Sequence, residues 1–143
     1  MPTRFPVTAH LLLLRNSSVL LSRRQNTGYE DGKLSVPAGH VEPGESVTAA
    51  ALREAQEEVG LQLSIERLHV VGVMHRKADE GRVDFFLAYP LLPRERPENT
   101  EPEKCSELLW TTLSDPPNDT IPYVREALKA YSCGQWFSEF GWS

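Results

Sequence analysis

The stretch that decides the fold is PAGHVEPGESVTAAALREAQEEVGL, residues 37–61. It opens on a glycine- and proline-containing loop and runs into a helix. Ser46 suits the N-cap position, and Gly60 stands where a helix stops. Glu54, Glu57 and Glu58 crowd the last two turns at spacing i, i+3, i+4. Like charges so placed weaken a helix by a few tenths of a kcal/mol. At about 100° per residue, Thr48, Leu52, Ala55 and Val59 form the core stripe. Val47, Ala50 and Ala51 fall on the side of the glutamates and leave room before them. No lysine is interleaved, while Arg53 lies four residues before Glu57 and is placed to hold that carboxylate. Three converging carboxylates are a hard-oxygen site suited to Mg²⁺ or Mn²⁺. Such metals serve phosphate chemistry by neutralising charge and activating water.

Outward from the helix, the chain reads as a mixture of strands and helices without regular βαβ alternation, which indicates a mixed sheet with helices packed on it. Strands are expected over 7–14, 19–23, 34–37, 68–76, 83–91 and 108–112, and a second helix over 122–131 with Pro122 in its first turn. Residues 93–103 form a charged, proline-containing loop. The tail, 134–143, is aromatic without a clear period. It is expected to dock on the body; a subunit interface in a homodimer is the alternative.

The 143 residues fit a single domain. The net charge of −5 argues against affinity for nucleic acid backbones, yet permits a small anionic substrate at a metal site. No apolar run approaches the roughly 20 residues of a membrane span. Cys105 and Cys133 form no CxxC pair, so a reducing, cytoplasmic setting is expected.

Gly39, five residues, Glu45, seven residues and then REAQEEVGL together resemble the Nudix box, GX5EX7REUXEEXGU. Gly39, Glu45, Arg53, Glu54, Glu57, Glu58 and Gly60 all match, and Leu61 fills the last bulky position. A looser MutT-like resemblance extends from LLSRR to Leu61 and again over EPEKCSELLW. The resemblance implies an α/β/α sandwich that hydrolyses a nucleoside diphosphate linked to another group, X. It implies that Glu54, Glu57 and Glu58 hold the metals with the Gly39 carbonyl, that Glu54 is the candidate base, and that Glu45 and Arg53 hold the loop. It further implies a phosphate contact from Arg23 or Arg24, since strand alternation aims only one of them at the site. It implies a late carboxylate at Glu103, with Glu101 behind it. His40, next to Gly39, and Trp110, as a base-stacking ring, complete the substrate-binding candidates. The other histidines, His10, His69 and His75, show no zinc spacing.

Family signals for ADP-ribose, diadenosine polyphosphates and coenzyme A are absent around 75–78 and upstream of the box. A nucleoside triphosphate, cleaved to monophosphate and pyrophosphate, is therefore the leading substrate. A nucleotide sugar or dinucleotide is the runner-up, and a non-hydrolytic nucleotide-binding module is a third reading.

Overall fold

The computed structural model describes residues 1–143. Its strands are β1 (Val7–Arg15), β2 (Ser18–Arg24), β3 (Leu34–Ser35), β4 (Ala38–His40), β5 (His69–Arg76), β6 (Arg82–Pro90), β7 (Cys105–Thr112) and β8 (Phe137–Phe140). The helices are α1 (Val47–Val59) and α2 (Pro122–Ser132). The strands form one mixed sheet in the order β3-β2-β1-β6-β5-β8, with β4 paired to β1 and β7 to β2. β1 runs parallel to β6 and antiparallel to β2 and β4.

Strand β1 explains the layering. Its central run is buried on both faces, which is why it reads as continuous leucine rather than alternating. Ala9, Leu11 and Leu13 pack in one cluster with Ala50, Ala51, Ala55 and Val59 of α1. Leu12 joins the opposite cluster with Tyr123, Val124, Ala127 and Leu128 of α2. One helix therefore covers each face of the sheet, the α/β/α arrangement expected from the sequence.

Two departures have simple causes. The strand expected over 34–37 ends at Ser35 as β3, ahead of Pro37, which has no N–H to give to a ladder, and β4 forms just beyond it in residues read as loop, pairing with β1. The aperiodic tail contains β8, which pairs in parallel with β5 from Val73↔Phe137 to Arg76↔Phe140. Four residues are too few to show a period, and their partner is far away in sequence. Phe140 packs on the α2-side core, whereas Trp136 and Phe137 remain exposed.

The two ends of α1 are formed as expected. The Ala49 N–H donates to Ser46 Oγ at 3.1 Å. Gly60 has φ 69°, and the N–H groups of Gly60 and Leu61 return to the carbonyls of Gln56 and Ala55. A left-handed residue with a side chain costs roughly 1–2 kcal/mol. A Cβ on Gly60 would also press on Thr100 Cγ2 at 3.2 Å. Gly60→Ala is accordingly expected to lower the unfolding free energy by about 1–2 kcal/mol or more in urea titration. An unchanged midpoint would show that the helix stop is not held by this conformation.

Candidate active site

The core stripe of α1 is rotated from the one the sequence wheel predicts. Ala50 and Ala51 are fully buried, while Thr48 and Leu52 are only half-buried. The alanines do not leave open room; they pack the helix against the sheet. Alanine is uninformative on a wheel because it suits either face. As a result Glu54 and Glu58 stand at the margin of the core rather than opposite it, and both are largely covered. Glu57 is the open member, with its side chain 50% exposed.

Arg53 organises this region. Its guanidinium grips Glu45 in a two-pronged pair, Nε to Oε2 at 2.7 Å and Nη2 to Oε1 at 2.9 Å. Nη2 also donates to the His40 carbonyl at 3.0 Å. Nη1 donates to Glu54 Oε1 at 2.7 Å and approaches Glu57 Oε2 at 3.3 Å. The expected Arg53–Glu57 pair is thus the longest of its carboxylate hydrogen bonds, and Glu45 and Glu54 are its main partners. The bonds from Arg53 and then the Glu42 N–H hold the Glu45 carboxyl down at about 2.

Gly39 has a steric reason to be glycine. A Cβ there would lie 2.0 Å from Glu54 Oε1, so any side chain would push the Glu54 carboxylate out of its present position. Ala38, just before it, is not among the residues with positive φ and takes an ordinary backbone conformation.

Glu58 points inward. Burial first, and then the adjoining Glu54 and Glu101 carboxylates, push its carboxyl far above the ordinary range. Its Oε2 is buried and has no hydrogen-bond partner. The loop after β6 closes over this end of the helix: Glu98 N–H bonds to Val59 O, Thr100 N–H to Glu58 O and Thr100 Oγ1 to Glu57 O. These bonds satisfy carbonyls that a helix end otherwise leaves without partners. Asn99 steadies the same loop through the Glu101 N–H and the Cys105 carbonyl. The loop therefore delivers Glu101, not Glu103, to the acidic cleft; Glu103 is exposed and does not line it. Burial raises the Glu101 carboxyl as well.

The cleft has a volume of about 530 Å³ and is lined by Gly39, His40, Glu54, Glu57, Glu58 and Glu101, among others. Of the two arginines, Arg24 faces it. Arg24 also steadies the 25–33 loop through Tyr29 O and Thr27 Oγ1. Arg23 points away and is consumed by Glu107 at 2.6 Å and Asp119 at 2.7 Å. The His40 ring nitrogen Nε2 lies 2.9 Å from Arg82 Nη2. Trp110 is not in this cleft; it lines a neighbouring one. The sequence reading missed Asn99 and Thr100, whose roles depend on a loop that contacts α1 only in the folded chain.

The carboxylates do not form a closed metal cage, since no three acidic, histidine or cysteine side chains surround one point. Arg53 draws Glu54 and Glu57 toward itself while Glu58 turns inward, so the single point of convergence expected from the sequence is absent. The donor chemistry nevertheless fits a hard divalent cation: all the groups are carboxylates, and one buried oxygen lacks any partner.

With this geometry in place, the comparisons are unambiguous about class. The NUDIX domain family model matches residues 4–131, and the chain belongs to that family, on its MutT-like side. The chain is 34% identical over 67 residues, 46% of its length, to Nudix hydrolase 3 of Caenorhabditis elegans. It spans 28% of the length of that relative. Its fold matches a MutT NUDIX hydrolase from Burkholderia pseudomallei with TM-score 0.77 and 27% identity, covering 89% of this chain and 98% of the other. It also matches a bifunctional NMN adenylyltransferase/ADP ribose pyrophosphatase of Francisella tularensis, solved with AMP and a Mn ion. There the TM-score is 0.62 and the identity 19%, over 81% of this chain and 35% of that one, a likeness of fold alone.

Proposed function

We infer that residues 1–143 act as one pyrophosphohydrolase domain on a nucleoside diphosphate linked to X, with a nucleoside triphosphate as the leading substrate. The observation that carries this reading is the buried, unpartnered Glu58 Oε2 beside Glu54 in an acidic cleft with Arg24 at its side. An oxygen left in that state costs free energy unless a cation meets it.

Glu54, Glu57, Glu58 and the Gly39 carbonyl would hold Mg²⁺ or Mn²⁺, with Glu101 as the late carboxylate. A bound divalent ion would neutralise substrate charge and lower the pKa of water. The chain's own residues do the rest. Arg53 fixes Glu54 through Oε1, which leaves Oε2 as the candidate acceptor of a proton from the attacking water. Arg24 meets phosphate, for which a guanidinium is suited. The Arg53–Glu45 pair holds the loop that carries Gly39 and His40 over the carboxylates. Water adds to phosphorus, the anhydride P–O bond breaks, and a triphosphate yields monophosphate and pyrophosphate. The two free cysteines are compatible with a reducing cytoplasmic setting, and no helix is long and apolar enough to cross a membrane.

The test is kcat/KM for common and oxidised nucleoside triphosphates, ADP-ribose and nucleotide sugars with Mg²⁺ or Mn²⁺, reading pyrophosphate and phosphate separately. At least one triphosphate is expected to release pyrophosphate and to be preferred over ADP-ribose. Preference for a sugar-linked diphosphate would reject the triphosphate assignment. Tight nucleotide binding without turnover would reject hydrolysis.

A further inference from the structure

A second cleft, of about 690 Å³, lies beside the acidic one and has the opposite character. Arg15, Asn16, Arg96 and Trp110 are its polar and aromatic lining, Leu20 and Pro93 are among its apolar walls, and no acidic residue lines it. That is notable in a chain of net charge −5. The guanidinium of Arg15 lies over the Trp110 ring at 4.8 Å and is anchored by a 2.9 Å bond to the Glu95 carbonyl. The Glu95 carboxylate does not neutralise it. That group is turned to Tyr89, Arg67 and the Leu92 N–H. Arg96 is exposed to solvent.

The two clefts are adjacent by construction. Leu108 borders both. In the β2–β7 ladder, Ser22↔Leu108 belongs to the acidic cleft and Leu20↔Trp110 to the basic one. Two residues along a strand advance about 7 Å, within reach of a polyphosphate chain.

We propose that the Arg15–Arg96–Trp110 cleft is a second nucleotide site, taking a planar aromatic ring that carries a phosphate. The Arg15 guanidinium stacked on the indole offers a planar, charged stacking surface, the guanidinium groups offer charge and paired donors, and the apolar walls favour a base over a sugar. The occupant has two available sources: the distal half of a substrate whose diphosphate lies at the carboxylates, or a separate free nucleotide. Only the first source rests on the hydrolase reading above.

The probe is AMP, titrated calorimetrically into the full chain in EDTA, where the acidic cleft has no cation with which to attract phosphate. AMP is expected to bind. Arg96→Ala, at an exposed position that leaves the fold intact, is expected to weaken it on the order of tenfold, the scale of one charge-assisted hydrogen bond. Glu57→Gln, in the other cleft, is expected to leave it unchanged. Kinetics with Mg²⁺ then separate the sources. If Arg96→Ala raises KM for diadenosine tetraphosphate but not for ATP, the occupant is the distal half of the substrate. If AMP binding falls with no such split, it is a free nucleotide. Absence of AMP binding, or binding that survives the double variant Arg15→Gln/Arg96→Ala, overturns the proposal. If the wild-type chain hydrolyses none of these nucleotides, the hydrolase reading fails, while the AMP titration still decides the second site.

Discussion

Glu58→Gln is expected to remove nearly all hydrolysis and, at the same time, to make the metal-free protein more stable at alkaline pH. Loss of one group that stabilises developing charge costs on the order of 10²–10³-fold in rate, and Glu58 is the carboxylate with the unpartnered buried oxygen. The stability effect follows from its titration. Burial, aided by Glu54 and Glu101, raises the folded-state value well above that of an unfolded glutamate. Between the two values the folded chain binds more protons than the unfolded one, so its stability falls as pH rises through that interval. Glutamine abolishes this slope. At pH 8 without metal, a gain of about 1 kcal/mol would raise Tm by roughly 2–4 °C for a chain of this size. Glu57→Gln, altering an open side chain, is expected to keep the fold and lose most activity. The measurements are turnover at saturating Mg²⁺ and melting curves across pH 5–9 in EDTA. Near wild-type turnover in Glu58→Gln would remove that residue from the metal set. A pH slope unchanged by the substitution would mean that Glu58 is ionised without a cation.

Arg53→Ala is expected to lower metal affinity or turnover by about 10–100-fold, the usual cost of losing a group that orients metal ligands. The variant frees Glu45, loosens the loop at the His40 carbonyl and releases Glu54 and Glu57 together. Lysine should rescue it poorly, because an ammonium cannot reproduce the two-pronged grip on Glu45. The distinguishing readout is Mg²⁺ titration beside KM. A large rise in KM with unaltered metal affinity would instead make Arg53 a phosphate contact.

The sequence by itself determined the order of the elements apart from β4 and β8, together with the helix limits and the acidic motif. Ser46, Gly60 and the spacing of Glu54, Glu57 and Glu58 are local signals, and local chemistry fixes a cap, a stop and a register within one helix. The strand expected over 7–14 was legible for the same reason, from its own apolar run of Leu11 to Leu14. Tertiary structure alone decided which groups share the cleft. Ala50 and Ala51 can face core or solvent, and only packing against β1 turned them inward and drew Glu58 after them. Strand alternation separated Arg23 from Arg24, but the ion pairs with Glu107 and Asp119, 84 and 96 residues distant, settled which one turns away. Glu101 rather than Glu103 reaches the carboxylates because a loop finds its bonds on the far end of α1. Trp110 stands in a separate basic cleft because its neighbours Arg15 and Arg96 come from the end of β1 and a distant loop. Contacts of that kind follow from the closing of the sheet, and no window of neighbouring residues contains them.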